Sequence, residues 1–407
     1  MSIILSVIFL LINIYIYYSY SKTIGSYFNI LIFTFAYTIS FSFYLATEEL
    51  INYIDFYCSA ILSAFALYLS FSLNKNRLLK SKHEFSSNII PYSRSIFWVS
   101  IFIILTTSVT LIIILNGAPL LSLDPNNSRL EFIANHSYLA RIINYVIPFV
   151  FFISICFYNK STSKGIRIVN YILLFLSIFP TLLLSNKSSI TSFLLLVLIF
   201  DATTFVKHIF NRKILISCAI FAMFFLFSLH FLENSILNLM LQIKNRLIDY
   251  SGVKVVYDYY VPQEGYAYGK TILYEINSIF SSVGLTDNDI TQTTGNFISR
   301  WYHGFGNDYL FEYVFPIFTI GFLNGGMFFS FLLSFIFSYL IFYFYSLYRC
   351  ENISIVKVFY FLLSYTMLQI YITGKPGSFI VSNISTYIVV AFISIVIRSI
   401  FLRINKV

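Results

Sequence analysis

The 407-residue chain is 58% hydrophobic and 20% aromatic, and only 11% of its residues are charged. Soluble domains carry about 25% charged residues, so this composition excludes a water-soluble globular protein of this size. The net charge of +9 does not indicate nucleic-acid binding, because the basic residues lie in short loops between apolar runs, where they orient a protein in a membrane.

A membrane-spanning helix needs about 20 mostly apolar residues. Eleven runs of this kind predict spanning helices at residues 2–20, 27–46, 54–73, 96–115, 139–158, 168–185, 189–206, 214–231, 326–348, 356–373 and 379–402. The first run lacks a basic leading region and a small-residue cleavage site, so we expect a retained helix and not a signal peptide. The predicted fold class is therefore an all-α, polytopic transmembrane helical bundle that forms a single integral membrane domain over residues 1–407.

The distribution of Lys and Arg predicts the orientation of these helices. Of the 26 basic residues, 17 fall in one set of loops, whereas 14 of the 17 acidic residues fall in the other set. Because Lys and Arg concentrate on the cytoplasmic side of membrane proteins, the first set is expected to be cytoplasmic. The N-terminus is then periplasmic and the C-terminus cytoplasmic.

Two longer loops are expected on the periplasmic side, a large one at about 232–307 and a second at about 116–138. A further apolar stretch follows the large loop at 309–325 and contains Glu312, Pro316 and glycines. Residue 307 is predicted outside and Arg349 inside, so one full helix (326–348) suffices to join them. The stretch 309–325 is therefore expected to be re-entrant or interfacial, and irregular backbone at membrane depth indicates a site wall or a wet cavity.

Several classes of enzyme are excluded by missing motifs. The chain has no GxxxxGK[ST] phosphate loop, no HExxH and no GxSxG elbow, so nucleotide, zinc-protease and serine-hydrolase chemistry are not indicated. Its four cysteines lie in or beside apolar runs, without metal-ligand or disulfide spacing. No cofactor and no metal site are predicted.

Cationic residues on the predicted periplasmic side are the strongest functional signal. Guanidinium groups bind diphosphates in a bidentate manner, so these cations suit an anionic ligand with an apolar tail. The candidate diphosphate-binding residues are Arg129, Arg141, Lys187, Arg246 and Arg300. Each also has a structural interpretation, such as a solvated loop charge, a topology signal or a snorkelling side chain at a helix end.

Three segments resemble the O-antigen polymerases of the Wzy type. These segments are NGAPLLSLDPNNSRLEF (116–132), LLLSNKSSITSFLLL (182–196) and GFGNDYLFEYVFPIFTIGFLNGG (304–326). The first resembles the family's loop with an arginine followed by an acidic residue. In the second, Lys187 stands where the family often has an arginine, and the third is similar to the family's Tyr-Leu, Glu and glycine pattern after the large loop.

The resemblance implies an inner-membrane glycosyltransferase that polymerises undecaprenyl-diphosphate-linked oligosaccharide repeat units on the periplasmic face. It also implies a flippase and a chain-length regulator as partners of the same pathway. His303 and Glu312 are the candidate general bases, and Trp301, Tyr302 and Asn307 are candidate sugar contacts.

Two other functions stay open at this point. An O-antigen ligase would join finished polymer to a lipid core, but its family has a histidine directly before the Asn-x-Tyr-Leu element, where this chain has Gly306. A flippase for the same lipid-linked oligosaccharide would typically have two similar halves, and no internal repeat is visible in this sequence.

Overall fold

The computed structural model describes residues 50–80, 92–122, 125–158, 166–184, 251–282, 293–304, 313–351 and 354–404, with isolated positions 8, 11, 15, 190, 193, 194, 196 and 197. Over these residues the fold is all-α, without a β-strand. The α-helices are α1 (Tyr53–Lys80), α2 (Tyr92–Leu115), α3 (Pro125–Asn135), α4 (Ser137–Arg141), α5 (Ile147–Tyr158), α6 (Ile166–Leu183), α7 (Ser251–Lys254), α8 (Val261–Glu264), α9 (Lys270–Ser282), α10 (Thr294–His303), α11 (Ile317–Cys350), α12 (Ser354–Thr373), α13 (Pro376–Phe379) and α14 (Ser385–Ile404). A short 3₁₀ turn covers Pro119–Leu121, and π-helical turns join α4 to α5 (Ile142–Val146), α7 to α8 (Val255–Tyr260) and α13 to α14 (Ile380–Ile384).

Five of the described helices are long and apolar enough to cross a membrane. They cover Ile54–Leu78, Ile96–Leu115, Tyr138–Cys156, Ile317–Cys350 and Ile355–Thr373. Two further predicted spans are shorter apolar helices, Ile168–Leu183 and Ser382–Ile397. The runs 2–20, 27–46, 189–206 and 214–231 lie outside the described residues apart from isolated positions, so the total of eleven spans stays a prediction.

The chain forms two compact units, each assembled from segments distant in sequence. Unit 1 comprises Met1–Lys82, Asn234–Arg349 and Leu363–Ile384, and unit 2 comprises His83–Glu233, Cys350–Leu362 and Ser385–Val407.

Aromatic rings fill the interior of unit 2. Phe151 packs edge-on against Phe152, and its ring lies tilted against that of Phe102 of α2, with 5.9 Å between the ring centroids. The hydroxyl of Ser154 donates to the carbonyl of Trp98 at 3.1 Å. A serine at this position lets α2 and α5 approach closely and adds a hydrogen bond between helices in apolar surroundings.

Two of the π-helical turns end two residues before a proline. Ile142–Val146 precedes Pro148, and Val255–Tyr260 precedes Pro262. A proline inside a helix has no N–H and its ring collides with the carbonyl four residues earlier. The wider π turn displaces that carbonyl, so each helix passes its proline without ending.

In unit 1, α1 and α11 run parallel and α12 runs antiparallel to both. Residue numbers increase in the same direction along α1 and α11, because Phe65 packs on Phe331 and the later Phe71 packs on the later Phe342. Residue numbers along α12 increase in the opposite direction. Tyr371 shares a hydrogen bond of 2.6 Å with Ser63 near the start of α1, and Ser364 donates at 2.9 Å to the carbonyl of Ile341 deep in α11.

Helix α11 reverses its direction at Gly325 and Gly326, where the backbone is not helical. The hydroxyl of Ser330 donates to the carbonyl of Phe318 at 2.7 Å, although twelve residues of straight helix would separate them by about 18 Å. The reversal makes a helical hairpin, with a short arm (317–324) and a long arm (327–350). The long arm is about 36 Å in length and can span a bilayer by itself.

Glycine is required where the two arms meet. A Cβ on Gly321 would lie 2.4 Å from the Cα of Ser330, and Gly326 has φ of +69°, which favours glycine over any residue with a side chain. The predicted irregular stretch 309–325 therefore contains, within its described part, a non-helical segment (313–316) followed by the short arm.

Candidate functional site

The structure places the predicted site residues in different parts of the fold. Arg300, Trp301, Tyr302 and His303 lie together in the last turn of α10, in unit 1. Arg129 and Arg141 belong to unit 2. Lys187, Arg246, Asn307 and Glu312 lie outside the described residues.

Local sequence explains why α10 begins and ends where it does. Thr293 caps the helix, and its hydroxyl accepts a hydrogen bond from the N–H of Asn296 at 3.3 Å. Gly304, with φ of +94°, ends the helix and donates its N–H to the carbonyl of Arg300 at 2.9 Å. Glycine suits such a C-terminal position because it adopts positive φ at low cost. The helix is thereby limited to ten residues, and three of the four residues in its last turn are exposed.

The first part of α10 is buried and its last turn is more exposed. Phe297 and Ile298 are buried, whereas Arg300, Tyr302 and His303 are exposed. Cations at a helix C-terminus are also favoured by the helix dipole, so their position is stable without a ligand. Their exposure leaves the guanidinium of Arg300 accessible to an anion.

A buried carboxylate holds the start of α10. Glu275 of α9 is 2% exposed, and its Oε1 accepts from the N–H of Thr294 at 2.8 Å. Its Oε2 accepts from the N–H of Gly377 at 2.9 Å. One side chain therefore caps both α10 and α13, since each of these N–H groups lies in the first turn of its helix. Sequence reasoning missed Glu275, because its two partners are 19 and 102 residues away in the chain.

Trp301 is fixed by a carboxylate and by a tyrosine ring. Its indole Nε1 donates to Glu264 Oε1 at 3.2 Å, and the ring of Tyr260 lies edge-on at 4.9 Å. Burial raises the pKa of Tyr260 above its usual value, and the negative charge of Glu264 adds to this effect. The phenol therefore stays neutral near physiological pH, and Glu264 remains an exposed acceptor beside the indole.

His303 is paired with a tyrosine from the segment that leads into the helical hairpin. Its Nε2 lies 2.9 Å from the hydroxyl of Tyr313, a residue that is 3% exposed, and the two rings are nearly parallel. The ring of Tyr302 contacts His303 on its own helix and Tyr259 on the π turn. These contacts hold the imidazole in one orientation. The tautomer of His303 decides whether Nε2 accepts the hydrogen bond from the phenol or donates one to it.

A second cation lies over the aromatic side of α10. Lys270 begins α9, and its Nζ is 5.4 Å from the ring centroid of Phe297 and 6.0 Å from that of Tyr274. Cation–π contacts of this kind orient an exposed ammonium group. Lys270 was not among the predicted site residues, and only the packing of α9 on α10 identifies it.

In unit 2, the two predicted arginines lie on consecutive short helices. Arg129 is half-buried on α3, and Arg141 is exposed in the last turn of α4, directly before a π turn. His136 lies between the helices, and its ring packs edge-on against Phe132 and Tyr138. Both arginines remain accessible candidates for binding an anion.

No metal centre is found over the described part of the chain. There, no group of three or more His, Cys, Asp or Glu side chains is placed to hold a metal ion. The chemistry available at α10 consists of a guanidinium, an oriented imidazole, an acceptor carboxylate and exposed aromatic rings. Aromatic rings and polar acceptors suit a sugar, and cations suit a phosphate ester.

Comparison of the chain with protein-family models, with curated proteins and with solved structures found no match.

Proposed function

We propose that this chain is an O-antigen polymerase of the Wzy type, a glycosyltransferase that joins undecaprenyl-diphosphate-linked oligosaccharide repeat units. The observation that carries the proposal is the last turn of α10, which presents Arg300, Trp301, Tyr302 and His303 together. Of the three sequence segments that resemble the family, the third lies directly after this turn, because it begins at Gly304, where α10 ends.

The proposed reaction needs no energy source besides its donor. A hydroxyl oxygen of the acceptor repeat unit attacks the anomeric carbon of the donor sugar. The bond from that carbon to the diphosphate oxygen breaks, and undecaprenyl diphosphate leaves with the bonding electron pair. The absence of nucleotide-binding motifs in the sequence is in keeping with this chemistry.

Arg300 stabilises the negative charge that develops on the departing diphosphate. Electrostatic stabilisation of this kind is usually the largest catalytic effect, and a guanidinium offers two parallel N–H donors to phosphate oxygens. Arg129, Arg141, Lys187 and Arg246 are further candidates for the diphosphates of the donor and the acceptor.

His303 accepts the proton of the attacking hydroxyl, and the phenol of Tyr313 at 2.9 Å holds its ring in place. A positioned base contributes about 100-fold or more to such a transfer. Glu312 is the alternative base. Trp301, Tyr302 and Asn307 contact the sugars, with Trp301 anchored by Glu264.

The proposed setting is the inner membrane of a bacterium, with about eleven spanning helices, a periplasmic N-terminus and a cytoplasmic C-terminus. In unit 1 the start of α1, the end of α12, the hairpin turn and α10 are linked by contacts at one end. Asn52 donates to Tyr257, Ala267 to Leu323 and Gly377 to Glu275. Charge asymmetry independently assigns all of these segments to the periplasmic side, and the short arm (317–324) is then the re-entrant segment.

A deletion of the gene, with the surface polysaccharide analysed on a gel, tests the proposal. We expect lipid core that carries a single repeat unit, since ligation and flipping would continue without polymerisation. Bare core with lipid-linked polymer in the membrane would identify a ligase instead. Bare core with single lipid-linked units retained inside the cell would identify a flippase.

Complementation then locates the site. We expect wild type to restore the ladder and Arg300→Ala and Arg129→Ala to fail, with all proteins at equal membrane levels by immunoblot. Arg77→Ala is the matched control, because Arg77 is an exposed arginine at the other end of α1, with its guanidinium 5.5 Å from the ring centroid of Tyr343. Full ladders from both site variants would exclude these arginines from the reaction.

A further inference from the structure

Helix α9 has its polar face buried and its apolar face exposed. Glu275 and Thr271 are 2% and 0% exposed, whereas Leu273, Ile276 and Phe280 are 59%, 40% and 45% exposed. At 3.6 residues per turn these three apolar side chains lie within about 60° of one another. They are on the side of the helix opposite Glu275.

This arrangement is the reverse of that in a water-soluble protein. A helix on the surface of a soluble domain turns its apolar stripe to the core and its charged residues to water. Here the charged residue is satisfied inside, by the N–H groups of Thr294 and Gly377. Leu273, Ile276 and Phe280 stay exposed in the fold of unit 1, and their chemistry fits hydrocarbon.

The start of α9 is attached to the helical hairpin where the long arm begins. The side-chain amide of Asn324 donates to the Thr271 hydroxyl at 2.6 Å, and the N–H of Ala267 donates to the carbonyl of Leu323 at 2.8 Å. Just beyond the turn, Phe328 of the long arm is 69% exposed. The start of α9 is therefore held beside the turn after which a helix long enough to span the membrane begins.

The residues that lead into α9 are of the types found at membrane–water interfaces. Tyr266 and Tyr268 are exposed, the latter by 83%, and Lys270 is exposed at the first helical position. Tyrosine is enriched at the level of lipid headgroups, and lysine keeps its charge in water while its stem lies along apolar surface.

We infer that α9 is an interfacial helix that binds the surface of the lipid bilayer through Leu273, Ile276 and Phe280. Its axis lies along the membrane plane, and the three side chains enter the boundary between headgroups and acyl chains to a depth of about 5–10 Å. The partner is the bilayer lipid itself, and this contact does not depend on the proposed enzymatic activity.

The contact sets the height of α10 above the membrane. Because Glu275 projects from the opposite face of α9 and caps α10 directly, the two helices keep a constant separation. This constant separation keeps Arg300 near the level of the lipid headgroups. Under the proposed function, on which this step alone rests, the diphosphate of a lipid-linked substrate lies at the same level.

Spin labels on the full-length protein in lipid nanodiscs test the inference. In a chain whose native cysteines Cys58, Cys156, Cys218 and Cys350 are replaced by alanine, single cysteines at positions 273, 276 and 280 carry the label. Labels at positions 328 and 263 are the references for lipid and for water, since Phe328 and Gln263 are both exposed but lie on the long arm and on α8.

We expect the three α9 labels to resemble position 328, with high accessibility to oxygen and low accessibility to a water-soluble nickel chelate. Position 263 is expected to show the opposite. Chelate accessibility at 273 and 280 equal to that at 263 would overturn the inference. Low accessibility to both reagents would also overturn it, because another protein segment would then cover the stripe.

A second measurement does not need the cysteine-free chain. Phe280→Trp should raise the fraction of tryptophan emission that brominated lipids quench above the wild-type value, whereas Gln263→Trp should not raise it. Equal quenching in the two variants would contradict membrane contact by α9. Neither readout involves activity, so a failed polymerisation test would leave this result unaffected.

Discussion

The carboxylate of Glu275 accepts a hydrogen bond from the backbone N–H of Thr294 at 2.8 Å, in the buried interior between α9 and α10. Its other oxygen accepts from Gly377 at 2.9 Å. The helix that carries Arg300 and His303 is therefore positioned at its first residue by a buried side chain of another helix. Orientation of the site and stability of the fold depend on the same residue.

Replacement of Glu275 by alanine should destabilise unit 1. Two buried N–H groups would lose their acceptor, and we expect the free energy of unfolding to fall by about 3 kcal/mol. Glu275→Gln keeps one acceptor oxygen, so its free energy of unfolding should lie between those of wild type and Glu275→Ala. Unfolding of the purified protein in mixed micelles, titrated with sodium dodecyl sulfate, measures the change.

Glu264→Ala is the control for that measurement, because Glu264 is exposed and its loss should cost less than about 1 kcal/mol. Equal losses for Glu264→Ala and Glu275→Ala would show that the two caps formed by Glu275 contribute nothing particular to stability.

The helical hairpin should tolerate a methyl group at Gly325 better than one at Gly321. A Cβ at Gly321 would meet backbone atoms of Phe329 and Ser330 at 2.4–2.6 Å, whereas at Gly325 it would meet the ring of Phe329, which can rotate away. We expect Gly321→Ala to lower the free energy of unfolding by about 2–3 kcal/mol. The same titration measures both variants, and a larger loss for Gly325→Ala would contradict the close contact between the arms.

Removal of the Tyr313 hydroxyl should show how much the positioning of the His303 ring contributes to the rate, apart from proton transfer by His303 itself. Tyr313→Phe keeps the ring beside the imidazole and deletes the partner of Nε2. A hydrogen bond contributes about 1 kcal/mol, so polymerisation by the purified enzyme on lipid-linked repeat units should slow by roughly fivefold. His303→Ala should slow it by about 100-fold or more.

Tyr371→Phe deletes a buried tyrosine hydroxyl of the same unit that bonds to Ser63, and its rate should stay at the wild-type value. A normal rate for Tyr313→Phe together with an inactive His303→Ala would remove Tyr313 from the mechanism. An active His303→Ala would transfer the role of general base to Glu312.

Tyr302→Ala should weaken substrate binding more than it slows turnover. The ring is 45% exposed beside His303 and Tyr259, and an aromatic contact with a sugar ring would contribute about 1 kcal/mol. We expect KM to rise severalfold, kcat to change little and Tyr302→Phe to restore KM. Tyr268→Ala, which removes a tyrosine that is 83% exposed outside α10, should change neither constant.

The sequence was informative wherever a property repeats along the chain. Apolar runs of about 20 residues predicted helices that the structure contains, among them Ile54–Leu78, Ile96–Leu115 and Ile355–Thr373. The glycines at 325 and 326 and the parity of crossings predicted irregular backbone before the 326–348 span, and the chain does reverse direction there.

The contacts of the site could not be predicted in this way. Four side chains contact α10 from other parts of the chain, namely Glu275, Tyr313, Glu264 and Lys270. The periodicity of apolar residues predicts helices, but it does not predict which helices pack against each other. An apolar pattern along a helix does not show which face of that helix is buried. In α9 the apolar stripe faces outward and Glu275 faces inward.

Composition and hydropathy by themselves determined that this chain forms helices long and apolar enough to cross a membrane, because a backbone in hydrocarbon must satisfy its hydrogen bonds within each helix. Only the tertiary structure decided how α9, the helical hairpin and α13 surround α10. The reason is physical: a carboxylate that joins residues 19 and 102 positions away depends on which helix faces meet in space, and no local pattern of side chains records that.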